Sequence, residues 1–163
     1  MIRLTVMALV LCTTVASAQT RPDFSGRWTS EPGRSGDMGS GWGTTIAITQ
    51  DASHFTVQYA FFARGDMQPP LRFAYTLDGS ETVNTVMMGR GVQPQRSRTT
   101  WKADTLVITS VHTFPHPETG QPTPTEVTQA LSLESPTSLV VVTTRAGVLG
   151  GQPSTTRTVY RRL

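Results

Sequence analysis

His112 has a sequence position that would allow it to take part in chemistry inside a folded domain. His112 follows Leu106, Ile108 and Ser110 at intervals of two residues, and Phe114 continues the series. Residues with this spacing share one face of a β-strand. An imidazole on such a face can orient a polar ligand or bind a haem iron. The alternative interpretation is a histidine that is hydrogen-bonded at the rim of the fold.

His116 and the acidic residues of the tight turns are poorly placed for catalysis. His116 follows His112 at the spacing of a helical metal pair, but Pro115 and Pro117 exclude a helix there. The acidic residues of the tight turns are expected to bond the backbone; they are Asp51, Asp78, Asp104 and Glu134. There is no Gly-x-Ser-x-Gly motif and no pair of inward carboxylates. We therefore predict no catalytic residue, no metal and no cofactor, with a small barrel enzyme that uses His112 as an alternative.

The first residues have the pattern of an export signal. A basic start is followed by the apolar run 4–11, which is too short to span a bilayer, and by the small residues 16–18, which are typical of a cleavage site. We predict a signal peptide at 1–18 and a single domain at 19–163, exported to the periplasm or the medium. Cys12 is the only cysteine of the chain, so the exported domain would have no disulfide.

The remainder alternates between apolar and polar residues and shows no helical periodicity. Phe55, Val57, Tyr59 and Phe61 share one face of a strand, for example. The pattern predicts ten strands, at 24–30, 44–50, 54–62, 71–77, 81–88, 96–102, 105–114, 125–133, 138–145 and 154–162.

The connections between these strands alternate in length. The long ones are 31–43, 63–70, 89–95, 115–124 and 146–153, whereas the intervening turns are tight. Successive turns of a meander lie at opposite ends of the sheet. We therefore expect an all-β, antiparallel up-and-down meander, closed into a barrel with a floor of short turns and a mouth of long loops. A two-sheet β-sandwich is the competing architecture.

Two segments resemble the lipocalins and the wider calycin group of β-barrels. Gly26-Arg27-Trp28 is similar to the Gly-x-Trp signature on the first strand of that family, and the chain ends in "TRTVYRRL". The resemblance implies that Trp28 seals the closed end, that Arg161 or Arg162 packs across its ring, and that 31–43 forms a lid. We assign Gly26, Trp28 and Arg161 to the floor. Ten strands are closer to the fatty-acid-binding branch, or to the lipocalin-like domains of bacterial exported proteins.

The barrel would carry an apolar base below a more polar upper lumen, which is the usual composition of a small-molecule pocket. The predicted lower lumen consists of Phe55, Val57, Tyr75, Leu77, Val83, Trp101, Leu106, Ile108, Leu131, Leu133, Leu139 and Val141. Glu81 shares the inward parity of Val83 at the floor. The predicted ligand contacts are Trp42, Tyr59, Phe61, Phe73, Met87, Ser110, His112, Phe114, Gln129 and Arg157, with Thr143 on the same wall. We expect a small apolar or amphipathic ligand; a lumen filled with side chains is the alternative.

The outer face offers two candidate interaction surfaces. Arg96, Arg98 and Lys102 form a basic stripe, which indicates either a solvated face or a contact with an anionic surface. Four outward valines predict a homodimer or an assembly, and they are Val107, Val111, Val140 and Val142. The formal net charge of +3 does not require a nucleic-acid partner, and we predict none. A structural, self-assembling barrel is therefore the alternative to a ligand-binding protein.

Overall fold

The computed structural model describes residues 21–36, 42–59, 62–63, 66–67, 70–88, 91–116, 118–147 and 151–163. The strands are β1 (Gly26–Ser30), β2 (Thr45–Gln50), β3 (His54–Tyr59), β4 (Phe62–Ala63), β5 (Asp66–Met67), β6 (Leu71–Thr76), β7 (Thr82–Met88), β8 (Gly91–Lys102), β9 (Thr105–Pro115), β10 (Pro122–Ser135), β11 (Ser138–Arg145) and β12 (Ser154–Arg162). One turn of 3-10 helix, Pro32–Arg34, follows β1. No helix in the described part of the chain is long and apolar enough to cross a membrane.

Ten of the strands form one antiparallel sheet in the order β6-β3-β2-β1-β12-β11-β10-β9-β8-β7. Within this sheet each strand pairs with the next sheet strand along the chain, except β6 with β7, and β1 joins β12, with Trp28 opposite Arg162. The predicted ten-stranded meander is therefore confirmed, and the two-sheet sandwich is wrong. The extra pair, β4 with β5, begins at the last residue of the predicted strand 54–62 and continues into the second predicted long connection, 63–70.

The barrel is closed except at one seam, between β6 and β7. No backbone ladder joins these two strands, although only a short bend connects them. The amide of Asn84 on β7 takes the place of a ladder, because its Oδ1 accepts from Ala74 N at 2.9 Å and its Nδ2 donates to Ala74 O at 3.0 Å. Lower down, Thr99 Oγ1 of β8 donates to Thr76 O at 2.5 Å. Side chains thus hold the seam together.

The tight turns lie at one end of the barrel, as expected. Leu77 N donates to Ser53 O, which joins two of these turns, and Arg162 N donates to Thr137 O of a third. Asp51 Oδ1 accepts from the backbone of Ser53 at 2.7 Å, as the turn interpretation predicts. One connection was predicted wrongly. β8 begins at Gly91, so the expected long loop 89–95 shrinks to the link between β7 and β8.

The lower half of the lumen is packed with side chains. Its fully buried residues include Phe24, Trp28, Phe55, Tyr75, Leu106, Ile108, Leu131, Leu139 and Val141. Two predictions for this region fail: Val83 is 55% exposed, and Glu81 is exposed and forms an ion pair with Arg96. On β7 the inward residues are Asn84 and Val86, both buried, so the parity of this strand is opposite to the expected one.

The outer face presents less apolar surface than the sequence indicated. Of the four outward valines, Val107 and Val140 are buried by their neighbours, Val142 is half-buried, and Val111 is 38% exposed. Arg96, Arg98 and Lys102 are exposed as expected. The predicted homodimer through these valines therefore has no support from their exposure.

Candidate functional site

The base of the barrel explains the Gly-x-Trp segment. Trp28 is fully buried, and its Nε1 donates to Phe24 O at 3.0 Å. The guanidinium carbon of Arg162 lies 4.3 Å from the centroid of the Trp28 ring, a cation–π contact. Arg162 also donates to Ser25 O at 2.7 Å and to Pro136 O at 2.9 Å, which ties the last strand to the start of β1 and to the turn between β10 and β11.

Gly26 is required beside this contact for two reasons. Its φ is +141°, a conformation that L side chains rarely adopt, and a Cβ on it would lie 2.7 Å from Arg162 Nη1. The prediction of Arg161 as the floor residue is wrong, because Arg161 points outward and is exposed, with its Nε 4.0 Å from Glu31 Oε1. Arg162 takes that place.

Above the base, one half of the inner wall is aromatic and aliphatic. It is built by β2, β3 and β6, whose inward residues align across the strands: Ile46 opposite Tyr59 and Tyr59 opposite Leu71, then Ile48 opposite Val57 and Val57 opposite Phe73. Tyr59 and Phe73 stack with centroids 5.9 Å apart and an interplanar angle of 4°. Two predicted ligand contacts, Tyr59 and Phe73, thus form one aromatic surface.

The other half of the wall is polar and is built by β8 to β12. One cross-strand row contains Ser97, Ser110, Val127, Arg145 and Ser154, and the row below contains Thr99, Ile108, Gln129, Thr143 and Thr156. Ser97 and Ser110 are buried and their hydroxyls lie 2.9 Å apart. The predicted contacts Ser110, Gln129 and Thr143 all face inward and are buried. Hydroxyl and amide groups thus face the aromatic half of the wall.

His112 lies at the upper end of this polar wall. It is half-buried, and its Nε2 is 2.7 Å from Nε2 of Gln95, which is 7% exposed. In this orientation of the amide, its N–H donates to an unprotonated imidazole nitrogen, which corresponds to a neutral ring with its proton on Nδ1. Burial lowers the pKa of His112 below its ordinary value, and the positive charge of Arg145 lowers it further.

Arg145 is the inward arginine that the sequence interpretation missed. It shares the inward parity of Val141 and Thr143 on β11, and its Nη1 lies 3.4 Å from Thr156 Oγ1. The predicted Arg157 is instead exposed on the outer face, where it forms an ion pair with Glu134 and donates to Arg34 O at 3.2 Å. Gln95 was also missed, because the segment before residue 96 was taken for a loop.

Trp42 of the first connection belongs to the interior. It is 4% exposed and joins the hydrophobic cluster that fills the barrel. The next residue is fixed by the hydroxyl of Tyr160, which donates to Gly43 O at 2.9 Å. Of the remaining predicted contacts, Phe61 lies outside the described residues, and the structure does not describe the side chains of Met87 and Phe114.

The described residues offer little for catalysis at this wall. No three of their His, Cys, Asp and Glu side chains are grouped so that they could hold a metal ion. A shallow cavity of about 260 Å³ does open beside Trp101, Asp51 and Arg21, but it lies among the turns at the closed end. The candidate site is the upper lumen, where the aromatic half of the wall faces the polar half.

Models of known protein families and the curated proteins offer no match to this chain. The function must therefore be inferred from the residues of the barrel itself.

Proposed function

We propose that this protein binds an amphipathic small molecule in the upper half of its barrel. The observation that carries the proposal is the division of the inner wall. Tyr59 and Phe73 line one half, and Ser110, Gln129 and Thr143 line the other. A ligand with an apolar side and a polar side satisfies both halves at once.

Access from the mouth supports the same proposal. Tyr59, His112, Arg145 and Thr156 all face inward, yet each is only half-buried. Solvent therefore reaches the upper wall, whereas Leu106, Leu131 and the other base residues are fully buried. The space for a ligand would lie above this packed base. The sequence allowed either a ligand pocket or a lumen filled with side chains, and in this proposal the upper half is the pocket and the lower half is filled.

The experiment is a binding titration with a neutral probe, Nile red, competed by dodecanol. The inner variant Ser110→Leu places a larger side chain among the polar rows. Its control is Thr109→Leu on the same strand, which changes the outer face. We expect saturable fluorescence in the wild type and in Thr109→Leu, and a loss of binding in Ser110→Leu. Equal binding in both variants would place the probe outside the barrel.

We also propose that the chain is exported and is lipocalin-like. The leader 1–18 supports export, and the closed end built by Gly26, Trp28 and an arginine of the last strand supports the likeness. N-terminal sequencing of protein secreted by an expression host tests the first point, since the mature chain would begin at Gln19. An intact amino terminus on the exported protein would argue against cleavage.

A further inference from the structure

The described lumen has an unbalanced positive charge. Arg145 faces inward, and His112 beside it can accept a proton. Every carboxylate side chain that the structure describes lies instead on the outer face or in a connection outside the sheet. Glu126 and Glu134, for example, are exposed on β10. A buried or half-buried cation without an internal counter-ion favours an anionic ligand.

The hydrogen bonding of Gln95 provides a second observation. Its Oε1 is buried and has no hydrogen-bond partner within the described part of the chain, while its Nε2 is engaged with His112. A buried carbonyl oxygen without a donor is destabilising, so such a group indicates that a donor arrives in another state of the protein. Protonated His112 is that donor, because its Nε2 would then carry a hydrogen.

We propose, on the basis of the proposed function, that the ligand ends in a single carboxylate that Arg145 binds, and that its binding draws a proton from solvent onto His112, whose Nε2–H then donates to Gln95 Oε1. Gln95 turns its amide to do so, which brings its NH₂ group to the buried position that Oε1 occupies in this structure, as a further donor for the ligand. The aromatic half of the wall holds the apolar part. One proton enters with the ligand and leaves with it.

The electrostatics of the wall agree with this coupling. His112 contacts Gln95 on β8, pairs with Thr125 on β10 and is influenced by the charge of Arg145 on β11, and of these three only Arg145 is charged. Burial disfavours the imidazolium most and the charge of Arg145 second. A carboxylate at Arg145 neutralises this second contribution, so the pKa of His112 rises on binding. Linkage then requires that affinity for the carboxylate increase as the pH falls, for as long as the ligand remains ionised.

The first test compares three ligands with the same alkyl chain: dodecanoate, dodecanol and dodecyltrimethylammonium. The wild type is expected to bind dodecanoate most tightly. Arg145→Gln should weaken dodecanoate by about 10- to 100-fold, the range for a hydrogen bond to a charged group, and leave dodecanol nearly unchanged. Arg27→Gln is the matched control, since it removes the same charge from the exposed outer face.

The second test measures protons. Calorimetric titration of dodecanoate in two buffers with different ionisation enthalpies should show net proton uptake in the wild type at a pH below the ordinary histidine pKa of 6.5. His112→Gln should abolish this uptake, whereas His54→Gln, a change at an exposed turn, should retain it. Imidazole NMR of the wild type should show the pKa of His112 rising with dodecanoate and not with dodecanol. This measurement needs no variant and decides the question even if Arg145→Gln does not fold.

The outcomes separate this inference from the proposed function. If all three ligands bind equally, or if the ammonium binds best, the carboxylate site is wrong while the lumen remains a binding site. A preference for dodecanoate that Arg145→Gln leaves intact overturns the role of Arg145, and binding without a change at His112 overturns the proton coupling. If none of the three ligands binds, the proposed function itself fails.

Discussion

At the scale of single residues, the base of the barrel depends on one close approach. Gly26, Trp28 and Arg162 are mutually in contact, and the guanidinium also bonds two backbone carbonyls. The indole therefore closes the barrel from inside while the arginine fixes the last strand over it. A side chain at residue 26 would strain the backbone at this φ and would displace the guanidinium of Arg162.

We predict that Gly26→Ala destabilises the protein by roughly 1–3 kcal/mol, because alanine is strained at this φ and its Cβ displaces Arg162. Chemical denaturation monitored by tryptophan fluorescence measures the change. Gly33→Ala is the control, since nothing lies within 4 Å of a Cβ there, and it should be close to neutral. Equal effects of the two substitutions would contradict this account of the base.

His112 gives the protein a dependence of stability on pH. Its pKa is lowered in the folded state by burial and then by Arg145, so the unfolded chain binds a proton more readily. Stability is therefore fully present above the ordinary histidine pKa of 6.5 and is lost as the pH falls toward the lower folded value. We predict that ligand-free His112→Gln loses less stability than the wild type between about pH 7.5 and pH 5. Parallel slopes of unfolding free energy against pH would show that His112 does not contribute.

At the scale of elements, the sequence predicted the positions of the strands well. For β7 and β12, however, it assigned the wrong alternate residues to the inner face of the barrel. The rows of β3, β6, β9 and β10 were clear because large apolar residues alternate with polar ones. In β12, the choice of Arg161 for the floor put odd-numbered residues inside, and the same error placed Arg157 in the lumen. With Arg162 over Trp28, the inward residues become Thr156, Thr158 and Tyr160.

The parity of β7 and the seam could not be read from the sequence. "TVNTVMM" has valines on both faces, so it gives no preference, and the polar Asn84 looks like an outward residue. Asn84 faces inward because its side-chain amide hydrogen-bonds the backbone of β6, a strand with which β7 shares no ladder. Such hydrogen bonds are needed only when the sheet curves into a barrel and brings its two edge strands together. Gln95, in contrast, shares the parity of residues already placed inside, so a longer limit for its strand would have revealed it. Arg145 lies within the predicted strand 138–145, and continuing the inward parity of Thr143 by one step would have revealed it.

The stability of the seam between β6 and β7 should depend on the side-chain amide of Asn84. We predict that Asn84→Ala costs about 1–3 kcal/mol, because Ala74 N–H and C=O lose their partners in a half-buried position. The exposed neighbour Thr85 provides the control, and Thr85→Ala should stay within about 0.5 kcal/mol. Thermal or denaturant unfolding measures both. A neutral Asn84→Ala would mean that the seam is held by other contacts.

At the scale of the whole molecule, the barrel is a single sheet. Its first and last strands, β1 and β12, are joined by a backbone ladder, whereas β6 and β7 are not. The β1–β12 joint carries a backbone ladder, the Arg162 contacts and the bond from Glu31 N to Val159 O. The β6–β7 joint carries side-chain bonds instead. Partial opening of the native state should therefore begin at β6 and β7, since local unfolding follows the least protected backbone.

Native-state hydrogen exchange resolves this order along the chain. We predict that amides of β6 and β7 that face the seam exchange fastest among the strand amides, and that those of β9, β10 and β11, paired on both sides, exchange slowest. Asn84→Ala should speed exchange at Ala74 and its neighbours while the ladder between β1 and β12 keeps its protection. If β1 and β12 exchanged first, the weak point of the barrel would be its base and the seam would be a structural joint as strong as the others.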